Sequence, residues 1–200
     1  SRYYLQQRRS SNSYSNKMKR VLFQSNFYVK FKAPNSQDLI NYIESIDQSL
    51  INNQMFDWGT LSSSDKIALK SQELMEFISP NINELHERLK NKFSYILYDP
   101  WLNLYKRKDF QEIHAHHPCH LSSVFFANDG EGFSKFYFSD RHSNDTHPKL
   151  DKLIGYKPIN VVEYEKGDIL FFPSHILHGL SSHNSDIIRK TLSFNFDILD

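Results

Sequence analysis

The sequence has one cysteine, no long apolar run and almost no net charge, and each of these shortages removes a class of protein. A lone Cys119 cannot close an internal disulfide, which suits a reducing compartment, so a cytoplasmic location is expected. No apolar stretch approaches the ~20 residues that a membrane-spanning helix needs. The first residues, Ser1 to Leu5, lack the apolar core of a secretory signal. With 24 Lys plus Arg against 23 Asp plus Glu, the chain as a whole has no field that would gather nucleic acid or anionic lipid. Charge is local instead. Arg8, Arg9, Lys17, Lys19 and Arg20 flank a polar, low-complexity run from Ser10 to Ser15. Residues 1–20 are therefore expected to form a mobile tail with solvated charges. The alternative is a nucleic-acid-binding arm, with Tyr3, Tyr4 and Tyr14 as stacking platforms. No internal repeat is present, which excludes a solenoid.

What the chain does have is a length of 200 residues and 16 Phe concentrated in its second half. One domain over residues 21–200 is the natural expectation, large enough to bury ~70% of its unfolded surface without staples. Val21 to Phe23 and Phe27 to Phe31 read as short strands. Ser36 is a suitable N-cap for a helix from Gln37 to Leu50, with Leu39, Ile40, Ile43, Ile46 and Leu50 on one face. Further helices are predicted over Asp65 to Phe77 and Asn81 to Phe93, which makes residues 36–93 a helical buttress. From Phe93 the texture turns to strands: 94–98, 102–106, 110–116, 121–127, 133–138, 159–164, 168–172 and 189–198. Glu165-Lys166-Gly167 reads as a tight turn, and residues 139–157 as a long loop suited to a lid. Many short strands at this spacing predict a barrel or sandwich over residues 94–200.

The chemistry-bearing pattern is histidine. His114 and His116 are two apart, so on a strand they point the same way, roughly 7 Å apart along the backbone, while His117 points oppositely. Such a pair can converge on one ion, and imidazole suits Fe, Zn, Cu or Ni. A third histidine from a distant strand would leave positions open on the metal. His178 is the candidate, five residues after the apolar stretch Gly167 to Pro173. Each histidine also has a plainer reading, as a surface run or as a satisfied core side chain. Arg189 follows eleven residues after His178 and opens an alternating strand. Arg189, Thr191, Ser193 and Asn195 fall on one face; Leu192, Phe194 and Phe196 fall on the other. The guanidinium fork matches a carboxylate in two parallel hydrogen bonds, worth roughly 1.5–3 kcal/mol each when charged.

These residues resemble the C-terminal core of the 2-oxoglutarate/Fe(II)-dependent oxygenases, in particular the small bacterial and phage-type members of the prolyl-hydroxylase-like group. The likeness rests on Trp101-Leu102-Asn103, His114-Ala115-His116, Ser122-Ser123-Val124-Phe125-Phe126, Gly167 to Pro173, His178 and Arg189-Lys190-Thr191. It covers about half the chain by motif; Phe23 and the helices after Pro34 agree by layout. The resemblance implies a mainly β fold with N-terminal helices, a double-stranded β-helix (jelly-roll, cupin-like) buttressed by those helices. It implies a metal site of His114, His116 and His178. It also implies a 2-oxoglutarate site of Arg189 and Thr191, with Asn103 and Tyr105 beside it. Fe(II), 2-oxoglutarate and O2 are the expected cofactor, co-substrate and oxidant of a hydroxylase whose primary substrate the sequence does not name. One departure stands out. The wider superfamily has His-x-Asp or His-x-Glu where this chain has His116, so a carboxylate such as Asp140 is the alternative ligand. The rival functions are a cupin-type three-histidine enzyme that uses no 2-oxoglutarate, and a barrel that binds without turnover.

Overall fold

The computed structural model describes residues 26–51, 63–140 and 147–199. The expected tail over residues 1–20, its possible nucleic-acid-binding role and the strand at Val21 to Phe23 lie outside the described residues. The chain runs through β1 (Val29–Lys32), α1 (Ser36–Ser45), a 3-10 turn (Gln48–Leu50), β2 (Asp65–Ala68), α2 (Ser71–Leu89), β3 (Ser94–Leu97) and β4 (Trp101–Tyr105). It continues through β5 (Gln111–His114), β6 (Leu121–Phe126), β7 (Phe136–Ser139), α3 (Pro148–Ile154), β8 (Ile159–Val162), β9 (Asp168–Pro173), β10 (Leu177–Leu180) and β11 (Arg189–Leu199).

Two antiparallel sheets face each other. The larger has the order β1-β9-β6-β11-β4-β2, with β3 pairing the far half of the long β11; the smaller has the order β5-β10-β7-β8. This is the double-stranded β-helix expected from the sequence. The central strands β6 and β9 of the large sheet are buried along their whole length because both faces are covered. On the outer face Leu104, Phe125, Phe171, Leu192 and Phe194 pack with Leu39 and Ile43 of α1 and with Leu74, Ile78, Ile82 and Leu85 of α2. On the inner face Val124, Phe126, Leu170 and Phe172 meet Phe136 and Phe138 of the small sheet. Each such side chain contributes about 1.5–3 kcal/mol on burial.

Four expectations for the N-terminal half are corrected. Asp65–Ala68 is a strand, paired with β4, rather than the first turn of a helix. Its Ile67 is fully buried, so the apolar run 67–69 serves the sheet. The helix that follows is continuous through Pro80 rather than split there. The carbonyl of Phe77, three residues before the proline, accepts the side-chain amides of Asn81 at 2.8 Å and Asn35 at 2.9 Å. That occupation keeps it satisfied where a proline ring disturbs the ladder. Finally, α1 ends at Ser45 rather than Leu50, because the Asp47 carboxylate caps a new turn at the Ser49 amide, 2.8 Å away. Asn35, not Ser36, stands at the N-cap of α1.

In the C-terminal half the predicted strands are present with shifted ends, and two elements are added. The loop 139–157 contains α3, opened by the His147 side chain accepting from the Lys149 amide. β10 is a four-residue strand that pairs on both sides. Gly179 makes this possible: a Cβ there would lie 2.8 Å from Tyr137 Oη and 3.0 Å from the Gln111 carbonyl. The Glu165–Gly167 turn is as expected, with Gly167 at φ +86 and the Asp168 amide donating to the Glu165 carbonyl.

Candidate active site

Between the sheets lies a cavity of about 170 Å³ that opens to solvent. All seven residues singled out from the sequence line it: Asn103, Tyr105, His114, His116, His178, Arg189 and Thr191. His114 closes β5 and His178 sits in β10, and the two are register partners across that strand pair. His116 lies just beyond the end of β5, where its backbone N–H donates to the Ser174 carbonyl at 2.8 Å. That bond does the work the strand ladder was expected to do.

The three imidazoles offer one nitrogen each, all within 4.8 Å of one another, a spacing that fits a single ion. His114 Nε2 and His116 Nε2 are 3.2 Å apart. His114 Nδ1 lies 2.8 Å from the Glu112 carbonyl and His178 Nδ1 lies 2.9 Å from the Ile176 carbonyl, which directs both Nε2 lone pairs into the cluster. Burial and then the neighbouring His114 push His116 down to about 3. Burial also lowers His114 and, more strongly, His178. All three are neutral, the state in which imidazole ligates. Among the described residues no carboxylate joins them. Asp140, the alternative ligand, instead accepts from Tyr156 Oη at 2.7 Å.

The second feature is Arg189, a fully buried guanidinium. Its Nε donates to Tyr164 Oη at 2.8 Å. The rings of Tyr105, Phe126 and Tyr164 surround it at 5.2–5.7 Å. Both terminal nitrogens, Nη1 and Nη2, are buried with no hydrogen-bond partner among the described residues. A buried cation with two idle donor groups is costly unless an anion completes it. Beside it, Thr191 faces Asn103 across the β11–β4 ladder. The Asn103 amide donates to Ser193 Oγ at 3.1 Å and to Thr191 Oγ1 at 3.5 Å, orienting both hydroxyls.

Sequence reasoning missed three contributors. Lys66 lines the cavity from β2, opposite Asn103 in register, and was hidden by the helical reading of that segment. Tyr164 was placed on a strand, but nothing in the sequence linked it to Arg189. Asn195 was assigned to the polar face of β11, without a role. The structure also sorts the other histidines. His183 is a buried clasp between the Ser134 amide and the Ile187 carbonyl. His117, His120 and His175 are exposed.

A cluster of three imidazoles, one buried and two half-buried, thus lies in the same cavity as a buried arginine, inside a double-stranded β-helix. Residues 99–195 match the family described as "Putative 2OG-Fe(II) oxygenase". That segment, just under half of the chain, belongs to the 2-oxoglutarate/Fe(II)-dependent oxygenases, enzymes that use ferrous iron and 2-oxoglutarate. Solved structures share the fold at low identity. An oxidoreductase of the 2OG-Fe(II) oxygenase family from Burkholderia pseudomallei superposes with a TM-score of 0.61 at 10% identity, covering 85% of this chain and 84% of that one. A Pseudomonas putida prolyl-4-hydroxylase gives 0.59 at 13% identity, covering 88% and 95%. A viral collagen prolyl hydroxylase from Paramecium Bursaria Chlorella virus-1, in a 2OG complex, gives 0.53 at 14%, covering 86% and 96%. A search of the curated protein sequences gave no match. No helix among the described residues is long and apolar enough to cross a membrane.

Proposed function

We propose that His114, His116 and His178 hold the ferrous ion and that Arg189 binds the far carboxylate of 2-oxoglutarate, in an enzyme that hydroxylates an unactivated C–H bond of its primary substrate. The observation that carries this reading is the pair of idle, buried Arg189 nitrogens, which ask for a carboxylate in the same cavity as the histidine cluster. When bound, iron and 2-oxoglutarate together supply the oxidation: one O2 is consumed, 2-oxoglutarate leaves as succinate and carbon dioxide, and one oxygen atom enters the substrate. The rest is done by the chain. Arg189 offers two parallel donors to one carboxylate, and the Thr191 hydroxyl adds a third. Tyr105 contributes its ring, as part of the cage around the guanidinium. Asn103 holds the hydroxyls of Thr191 and Ser193 in place. Val124, Phe136, Phe172 and Leu180 form an apolar wall that keeps water from the reacting end. The histidines, being neutral, would ligate without any net loss of a proton.

The same reading takes residues 21–200 as one oxygenase domain. In it α1 and α2 stiffen the outer face, and β1 and β2 extend the large sheet. A cytoplasmic location and a substrate other than nucleic acid are supported by the free Cys119 and the balanced charge.

The test is anaerobic titration of the ferrous protein with 2-oxoglutarate, following the visible charge-transfer absorption that chelation of iron produces. The band is expected in the wild type and absent in Arg189→Ala and His178→Ala. A folded, iron-loaded protein that develops no band would sink the assignment.

A further inference from the structure

A lysine on an edge strand ordinarily turns its ammonium out to water, where the charge also discourages edge pairing. Lys66 does the opposite. It sits in β2, the outermost strand of the large sheet, yet it is only 7% exposed and lines the cavity. Its Nζ donates to Ser64 Oγ at 2.9 Å and to the Ser64 carbonyl at 3.4 Å. These neutral acceptors aim the ammonium without cancelling its charge.

That charge is felt inside the cavity. Burial is the main cause that lowers His114, and the Lys66 cation adds to it. Burial also lowers Lys66 itself, while the carboxylates of Asp65 and Asp109 pull the other way. Neither acid lines the cavity. Asp65 accepts from Lys106 Nζ at 2.6 Å and Asp109 from the Lys106 amide at 2.7 Å. Among the described residues that form the cavity wall there is no Asp or Glu, whereas there are two cationic side chains, Lys66 and Arg189.

The two cations serve different places. β2, β4 and β11 are neighbours in that order, so Lys66 and Arg189 start two strands apart, roughly 10 Å between backbones. Tyr105 of β4 stands between them. Its ring faces the guanidinium at 5.2 Å, and its phenol is hydrogen-bonded to Ser64, the residue that holds Lys66. With Arg189 assigned to one carboxylate of 2-oxoglutarate and the metal to the other, neither is left for Lys66. Three neutral imidazoles bring the metal no negative charge, so the cavity keeps an excess of positive charge after the co-substrate is bound. A buried excess of one sign is relieved by a ligand of the other. One ammonium, a compact point charge, matches one singly charged group.

We propose that Lys66 is a specificity-determining residue that binds a carboxylate of the primary substrate, so that the enzyme acts on a carboxylic acid rather than on a neutral molecule. The proposal rests on the assignment of Arg189 to 2-oxoglutarate.

The test uses the full chain loaded with Zn(II) and saturating 2-oxoglutarate, so that no turnover intervenes. Two probes of equal size, N-acetylglycine and the neutral N-acetylglycinamide, are titrated in and followed by the broadening of their NMR lines. Separately, 2-oxoglutarate binding without probes is measured by calorimetry for wild type, Lys66→Met and Arg189→Ala. The wild type should prefer the acid by about tenfold or more, the yield of one charge-assisted hydrogen bond. Lys66→Met should lose the preference and bind 2-oxoglutarate as wild type does; Lys66→Arg, which keeps the charge, should retain the preference. Equal binding of the two probes by the wild type, or no binding of the acid, overturns the proposal without any variant having to fold. A preference that survives in Lys66→Met overturns it too. If Lys66→Met loses 2-oxoglutarate as deeply as Arg189→Ala, Lys66 belongs to the co-substrate site and the proposal fails while the Arg189 assignment stands. If Arg189→Ala binds 2-oxoglutarate as wild type does, it is that assignment which fails.

Discussion

Tyr164 accepts a hydrogen bond from Arg189 Nε at 2.8 Å, and this contact decides which way the guanidinium faces. With Nε committed to the phenol, the fork can only turn its two terminal nitrogens away from Tyr164. The Tyr164 ring also lies flat on Phe126, 3.9 Å between centroids, so it cannot follow a drifting arginine. Tyr164→Phe keeps this stack and removes only the hydroxyl. It should weaken 2-oxoglutarate binding by about tenfold, the equivalent of one hydrogen bond of roughly 1–1.5 kcal/mol, and leave Fe(II) affinity unchanged. Anaerobic titrations of each ligand in turn would check this; a parallel loss of iron binding would mean that Tyr164 supports the whole site.

Removing the arginine tests the cost side of the same arrangement. A buried cation with two idle donors destabilises the protein until an anion arrives. Arg189→Met, similar in bulk and uncharged, should melt no lower than wild type in the absence of 2-oxoglutarate. It should also lose the stabilisation that saturating 2-oxoglutarate gives to the metal-loaded wild type. Thermal melts with and without the co-substrate would show both effects. A large drop in the ligand-free melting temperature would mean that the aromatic cage by itself satisfies the charge.

The β core and the site were legible in the sequence because alternation there carries one meaning. The polar face of β11 could have been a solvent face, but a face that opens on arginine and is matched by His-x-His upstream pointed inward, and Arg189 and Thr191 are buried. The N-terminal half was less legible. Asp65–Ala68 is too short for a period to show, and it runs directly into α2, so its apolar residues extended the helical pattern backwards. Pro80 looked like a boundary because the partners that tolerate it, Asn35 and Asn81, are 46 residues apart in the chain. β10 escaped notice for a similar reason. Four residues containing a glycine carry no strand signal, and the need for Gly179 lies in Tyr137 and Gln111, on two other strands. In each case the missing information was a contact distant in sequence.

The strand misread as helix makes a direct prediction. Ile67 is fully buried in the outer core, on a four-residue edge strand that carries Lys66 into the cavity. Ile67→Ala should cost about 2–4 kcal/mol, measured by urea denaturation. The same substitution on a half-exposed helix would cost less than about 1 kcal/mol.

Acid sensitivity follows from Asp168, at the start of β9. Burial pushes its carboxyl up. The Lys30 ammonium at 2.7 Å, the Glu165 amide at 3.1 Å and Lys32 at 3.3 Å outweigh this and hold it below the usual carboxylate range. The folded state therefore favours the ionised form more than the unfolded chain does, whose value is near ~3.9. That stabilisation is complete above the unfolded value and is lost as pH falls through the lower, folded one. Asp168→Asn should lose about 2 kcal/mol at neutral pH and show a shallower decline than wild type below about pH 4. Denaturation midpoints across that range would check it; parallel curves for the two proteins would assign the acid sensitivity elsewhere.

Metal removal gives the last prediction, and it separates a metal site from a merely buried histidine cluster. Three neutral imidazoles with donor atoms within 4.8 Å crowd their lone pairs together, so an ion that binds them stabilises the folded state by mass action. At a metal concentration of about a hundred times Kd the gain is about 2.7 kcal/mol. Divalent metal should therefore raise the melting temperature, and a chelator should reverse the rise. His114→Ala and His178→Ala should each abolish it, since two imidazoles from one side hold an ion far more weakly than three. His183→Ala serves as the comparison: that histidine is just as buried, but it bridges the Ser134 amide and the Ile187 carbonyl. It should lower the baseline melting temperature through the lost clasp while leaving the metal-induced rise intact. If His183→Ala removed the metal effect and His178→Ala did not, the proposed centre would be in the wrong place.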